Sequence, residues 1–401
     1  MIRFSDPFHR RLSRASRRWL NSVADVIRAP IRRPVVLLVT RELPSAKADE
    51  VASRLNFLLA HTAKTMALRT ACRASFLDYI RSTAVVAVDA SSVPKLALRN
   101  LRWVADLDFE TNPTDGWALM DLGAAITGDP RREIVSAARQ TFVDRVRQLR
   151  EGGARPVYLF GTGPSLRLAG DHSFADGVAV VCNTIVRDPK LWHHLDPAFL
   201  TAGDAIYHFG HNEHARAFRE DALRRLKESE GRTLFVYPAN YDVIVRAEFR
   251  AVESVLVPIP WGEHADISVN LTKHFALPYV ANVLNALLLP LGCTISNDVR
   301  LWGFDGRAPD DRGFWANSNV HAYPELMQSI RDAHPAFFAD LVPEGNEVKY
   351  VKQVHGDWLD ERLSDAERRG FRFRMMHRSW TPTLQKRFCD PDANDQSISP
   401  S

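Results

Sequence analysis

Short apolar runs recur along the chain, and the segments between them place apolar residues at helical spacing. Residues 34–40 (PVVLLVT) and 83–90 (TAVVAVDA) read as buried strands, and an amphipathic helix is predicted over 46–61 between them. SVPKLALRNL (92–101) predicts a short helix, and RWVADLDF (102–109) a further edge strand. The stretch 117–153 reads as helix broken near Gly128-Asp129-Pro130, its second half (131–149) a charged amphipathic connector between two halves. From Pro156 the alternation restarts. Strands are expected at 157–160, 178–182, 198–202 or 204–207, 233–237, 254–257 and 298–302, with helices over 214–227 and 279–289. Strands alternating with helices make parallel sheets, so the fold class is α/β. The expected form is a Rossmann-like, mostly parallel sheet flanked by helices in the C-terminal domain, preceded by a smaller α/β domain and a basic N-terminal helix.

At 401 residues the chain exceeds one ordinary core. The expected division is an arm over 1–33, a small α/β domain with its helical connector over 34–150, a nucleotide-binding domain over 151–389 and a disordered polar tail over 390–401. Hydrophobic residues at 45% and charged residues at 25% are those of a soluble globular protein. Cys72, Cys182, Cys293 and Cys389 are far apart and form no CxxC pair, which points to buried thiols in a reducing compartment and not to disulfides or metal ligands. No apolar run approaches the ~20 residues of a membrane span, and no h-region marks a cleaved signal.

The net charge of +4 conceals an asymmetry. Residues 1–33 hold nine arginines against Asp6 and Asp25, a balance of +7, which leaves the remaining 368 residues at −3. Phe8, Leu12, Trp19, Leu20, Val23 and Ile27 fall near one helical face of this arm. A basic amphipathic helix of this kind suits an anionic membrane surface, and it equally suits a solvated arm or a helix docked on its own domain. Nucleic acid is not expected as a partner, because the basic charge stays in the arm and no reader motif comes after it.

The candidate chemistry lies in PVYLFGTGPSL (156–166). A buried strand runs into Gly161, Thr162 and Gly163, Pro164 stiffens the turn, and Ser165 can cap the next element. Bare N–H groups leaving a strand can hold a phosphate, although any tight strand-to-helix turn looks the same. The turn does not fit GxGxxG, and it lacks the lysine of a P-loop. VAVVCNTIV (178–186) ends a second strand at Asn183, and NDVRLWGFDGR (297–307) ends a third at Gly303 and Asp305. Polar residues at successive strand ends are where open α/β sheets bind ligands. His208, His211 and His214 in HFGHNEH have a spacing a metal could use, but no carboxylate or cysteine completes a set, so no metal site is assigned. The acidic pairs Asp310-Asp311 and Asp106-x-Asp108 resemble metal–nucleotide holders and also arise by chance. His321, in FWANSNVHAYPELM, is a candidate general base or simply a surface histidine, and Tyr323 could bond a phosphate oxygen.

Taken in order, GTGPSL, Cys182-Asn183 and an apolar helix leading to VRLWGFDG resemble bacterial sialyltransferases that use CMP-activated sugars. The same pattern is similar to the wider family of motility accessory factor glycosyltransferases. The run from DGRAPDDRGFWANSNVHAYPELM to AHPAFF looks closer still to surface-polysaccharide glycosyltransferases of that superfamily. The resemblance covers about 155–385 and leaves the first 150 residues without a family. It implies that Gly161, Thr162, Gly163, Pro164 and Ser165 line the nucleotide, that Asn183 contacts it, that Gly303 and Asp305 close the strand end, and that His321 is the base. Thr162 stands where the family commonly has asparagine, and the surroundings of His321 differ from the sialyltransferase pattern. The implied enzyme is an inverting glycosyltransferase in bacterial surface glycan biosynthesis, with a nucleotide-sugar donor and a glycan or lipid-linked glycan acceptor. It is expected in the cytoplasm or peripherally on the inner membrane face, with no obligatory cofactor. Two rivals stay open: a pyrophosphokinase-like enzyme using Mg²⁺ and ATP on the same fold, which would employ Asp310-Asp311, and a non-catalytic nucleotide-binding scaffold.

Overall fold

The computed structural model describes residues 35–41, 43–62, 66–87, 93, 103–106, 130–306, 323–333 and 356–388. The arm, the 92–101 helix (apart from Val93), Asp108, Asp310-Asp311, His321, Cys389 and the tail lie outside the described residues. The chain forms two compact units. The larger begins at Arg132, and the short segment Asn240–Ala247 groups with the N-terminal unit instead.

The N-terminal unit is built on four parallel strands, β1 (Val35–Val39), β2 (Ala67–Ala71), β3 (Ala84–Ala87) and β4 (Trp103–Asp106), in the order β2-β1-β3-β4. The central strands β1 and β3 are aliphatic, and Leu37 and Val85 face each other in register, both without exposure. They pack with Tyr79 from the Phe76–Arg81 helix, which Ser75 and Asp78 open with a reciprocal capping box. The helix Ser45–Ala60 buries Val51, Leu55, Leu58 and Leu59, the spacing of one helical face. β2 (ALRTA) is largely exposed, as suits an edge strand, and no apolar run announced it; Cys72 just after it is exposed, against the expectation of a buried thiol, while Cys182 and Cys293 are buried.

The larger unit is Rossmann-like. Seven parallel strands, β5 (Val157–Phe160), β6 (Val178–Cys182), β7 (Phe199–Thr201), β8 (Leu234–Pro238), β9 (Leu256–Ile259), β10 (Asp298–Trp302) and β11 (Arg372–Met375), stand in the order β11-β10-β5-β6-β7-β8-β9. The strands β5 to β9 are continuously buried, the signature of a sheet covered on both faces. The helix Pro130–Glu151 contributes its core to this unit, with the Phe142 ring 5.8 Å from Phe199 and 5.7 Å from Phe275.

The apolar helix expected over 279–289 instead runs from Leu284 to Ile295, as a π turn (Leu284–Leu288) followed by an α segment (Leu289–Ile295). Pro290 is the reason the sequence looked like a helix end. A proline inside an α-helix clashes with the carbonyl four residues back. Here the Leu289 N–H donates to the Leu284 carbonyl, five residues back, and this wider turn admits Pro290 without ending the helix. The helix then crosses the sheet at Gly292, where an added Cβ would lie 3.2 Å from Leu159 and 3.4 Å from Val299.

Candidate functional site

β5 and β10 are neighbours, yet the chain leaves β5 toward β6 and leaves β10 toward β11, on opposite sides. Connections that diverge in this way leave a crevice at the carboxyl ends of the two strands, the usual ligand position in open α/β sheets. The turns 161–165 and 303–306 form its walls.

The two turns are joined by backbone. Gly161 N–H donates to the Trp302 carbonyl and Gly163 N–H to the Gly303 carbonyl, each at 2.8 Å, so the β5–β10 ladder continues past the strands. Gly303 has φ +72°, a left-handed conformation, and its Cα faces the Gly161 carbonyl too closely for any side chain. A Cβ on Gly161 would in turn lie 2.6 Å from the Gly303 carbonyl oxygen. Gly163 is different. Its φ of −71° and ψ of 168° suit any residue, but a Cβ there would collide with the Asp305 carboxylate and lie 2.7 Å from the Gly303 oxygen. Glycine is required at Gly163 by packing, not by backbone angle.

Asp305 carries the contact between the turns. Its carboxylate accepts the Ser165 N–H at 3.1 and 3.2 Å and the Ser165 hydroxyl at 2.9 Å. This corrects the expectation of a bare phosphate cradle. The N–H groups of Gly161, Gly163 and Ser165 are all engaged within the protein, and Pro164 has none. Only Thr162 keeps an N–H without a partner among the described residues. The site therefore presents an acceptor: two Asp305 contacts leave lone pairs over, and the carboxylate is 18% exposed.

A third segment closes the crevice from behind. At the end of β11, His377 Nε2 accepts the Gly303 N–H at 2.9 Å, while Nδ1 lies 2.8 Å from the Arg378 carbonyl, so these partners place the ring proton on Nδ1. The Ser379 hydroxyl donates to the Phe304 carbonyl at 2.7 Å, and Trp380 N–H donates to the Asp305 carbonyl at 2.6 Å. Sequence reasoning passed over this segment because RFRMMHRS shows no apolar run leading to a polar end.

Asn183 comes directly after β6 in the left-handed region, φ +53°, and its Oδ1 is buried without a hydrogen bond among the described residues. Thr201, its neighbour at the end of β7, likewise has a buried hydroxyl without a partner there. Beyond β7 lies Asp204, which accepts the N–H groups of Ile206 (2.7 Å) and Tyr207 (2.8 Å). Burial pushes its carboxyl up, against the pull of those donors. Asp204 obeys the same strand-end rule that singled out Asn183, and the histidines beside it drew attention away.

Of those histidines, His208 and His214 are packed into the fold. His208 Nδ1 accepts the Asp204 N–H at 3.1 Å, and its ring packs 4.6 Å from Phe218. Burial, helped by nearby His214, pushes the His208 ring down to about 3. His214 Nδ1 bonds the Tyr207 carbonyl at 3.1 Å, and Asn212 caps the helix Glu213–Glu228. No group of three metal-ligating side chains converges among the described residues.

Tyr323 is buried, and its hydroxyl donates to Asp221 at 2.7 Å. Arg187 lies over the ring at 4.9 Å and pairs with Glu325 at 3.1 Å. Burial, then the Asp221 carboxylate, pushes the phenol above the usual tyrosine range. Its single proton is committed to Asp221, so in this arrangement it does not donate to a phosphate. The structure thus brings residues 161–165, Gly303 and Asp305 together, sets Asn183 at the next strand end, and places Tyr323 in a separate polar cluster. No helix among the described residues is long and apolar enough to cross a membrane. Compared with known proteins, the chain matches no family model and no curated protein.

Proposed function

We propose that the larger unit is an inverting glycosyltransferase that binds a nucleotide-activated sugar, a CMP-sugar by preference, in the crevice between β5 and β10. The observation that carries this reading is the meeting of 161–165 with 303–305 at the switch point of a seven-stranded parallel sheet, in the order of the family it resembles. The glycines let the two turns approach each other closely enough to bring Asp305 against Ser165. Asp305 offers lone pairs to hydroxyl groups, as ribose and sugars require, and the Thr162 N–H remains for an acceptor atom. In the reaction a base takes the proton of an acceptor hydroxyl, the oxygen bonds the anomeric carbon, and the bond to the nucleotide phosphate breaks with inversion. His321 is the base by resemblance. A glycan or lipid-linked acceptor would give the basic arm 1–33 a use at the inner membrane face.

A thermal-shift series with CMP, CDP, UDP, GDP and ATP, with and without Mg²⁺, tests the donor. Ligand at 100 times its Kd adds about 2.7 kcal/mol of stability. The expected result is a metal-independent shift with CMP that Asp305→Ala abolishes. A shift with Mg-ATP alone would replace glycosyl transfer by pyrophosphoryl transfer, and no shift with any nucleotide would refute the crevice as a donor site.

A further inference from the structure

The amino-terminal side of the same sheet holds a second cleft, of about 760 Å³, at the starts of β5, β6 and β7. That size suits a small molecule. Arg145, Arg155 and Arg232 line it, together with His172, Phe174 and His194. Arg145 projects from the helix Pro130–Glu151 and is held by a hydrogen bond to the Gly231 carbonyl at 2.6 Å. Arg155 immediately precedes β5, and its Nε is buried without a partner. Neither Arg145 nor Arg155 has a carboxylate within ion-pair distance among the described residues. Arg232 has only long, exposed pairs, with Asp196 at 3.6 Å and Glu230 at 3.8 Å. Such pairs hold little. Asp171 and Asp196 also line the cleft, so its three arginines outnumber its two carboxylates.

Two unneutralised guanidinium groups on the wall of an open cleft are poorly explained by folding alone. Burial pulls Arg145 below its ordinary value, so its charge is held there against a desolvation penalty. Guanidinium forks match phosphate oxygens in geometry as well as charge. One part of the remaining wall carries rings: the His172 ring lies 4.7 Å from Phe174, and Phe174 lies 6.0 Å from His194.

We propose that this cleft binds the pyrophosphate group of a small molecule, with Arg145 and Arg155 as its anion contacts and the His172–Phe174 wall beside any ring the ligand carries. The site is separate from the crevice, which lies at the other ends of the same strands. Titration calorimetry of the full chain with inorganic pyrophosphate, and in parallel with ADP, tests it. Pyrophosphate is expected to bind, and Arg155→Gln to weaken it about tenfold or more. Arg232→Gln is expected to weaken it less, and Asp305→Asn to leave it unchanged. Tighter binding of ADP than of pyrophosphate that persists in Asp305→Asn would assign the aromatic wall to the ligand's ring, and equal binding in that variant would limit the site to the phosphates. Absence of pyrophosphate binding by the wild type, or undiminished binding by a folded Arg155→Gln, overturns the proposal. So does loss of binding in Asp305→Asn with Arg155→Gln unaffected, which would put the anion in the crevice.

Discussion

Gly163→Ala separates two reasons for a glycine, and they predict opposite signs. The backbone at Gly163 (φ −71°, ψ 168°) is open to alanine. If conformation were the whole account, alanine would stabilise by about 0.4–1 kcal/mol through the unfolded chain. The packing says otherwise, since the new Cβ collides with the Asp305 carboxylate and sits 2.7 Å from the Gly303 oxygen. Both neighbours are fixed, Asp305 by Ser165 and Gly303 by its own backbone bonds. Opening the turns far enough forfeits the Ser165–Asp305 contact, about 1.5–3 kcal/mol for a charged acceptor, and the Gly163–Gly303 bond, about 1 kcal/mol. After the entropic gain the net loss is about 2–3 kcal/mol, which lowers Tm by about 5–10 °C in a unit of this size. Urea unfolding of Gly163→Ala, Asp305→Ala and the double variant measures it. Asp305→Ala removes the main obstacle, so the two losses should fall short of additivity by about 1 kcal/mol or more. Stabilisation by Gly163→Ala, or strict additivity, would refute the packing argument.

Four further outcomes are expected. His208 binds its proton more weakly when folded (about 3) than its ordinary 6.5, so its contribution is complete above pH 6.5 and is lost as pH falls toward 3. The slope approaches about 1.4 kcal/mol per pH unit, and His208→Gln should flatten it in urea unfolding from pH 6.5 to 4. Asp204, raised from 3.8, works in the opposite sense over the acid part of that window, so a stability that rises on acidification would mean that Asp204 dominates. The Tyr323 phenol is raised by burial, so its contribution is complete below about pH 10 and lost above it; Tyr323→Phe should cost about 1–3 kcal/mol and remove a late-ionising tyrosine from an ultraviolet titration. His377→Phe strands the Gly303 N–H without an acceptor, which should cost about 1–3 kcal/mol and speed hydrogen exchange at that amide. The nucleotide series is expected to give its shift in the wild type and not in Asp305→Ala.

Strands buried on both faces were read within two residues from the sequence, because VYLF, VAVVC and LFVYP are continuous apolar runs. The edge strands β2 and β11 escaped. ALRTA and RFRM carry arginines outward, and pairing with one neighbour, not composition, makes them strands. Half of the crevice was visible for the same reason: its glycine turns come straight after apolar strands. The other half was hidden, because His377 and Ser379 reach it only through the pairing of β11 with β10. Local sequence also suggested free N–H groups at 161–165. Their occupation by Trp302, Gly303 and Asp305 depends on partners about 140 residues away, which no local pattern encodes.

That separation has a consequence for how the protein comes into being. A nascent chain released as far as Trp302 holds the whole 161–165 turn and every strand from β5 to β10, but the crevice still lacks Asp305 and the support of His377 and Ser379. Its walls meet once Asp305 has been made, and residues 377–381 brace them only when β11 joins the far side of β10. The ligand site is therefore completed late in synthesis, and a chain stopped short of Arg372 would keep both walls but lack the support of His377 and Ser379.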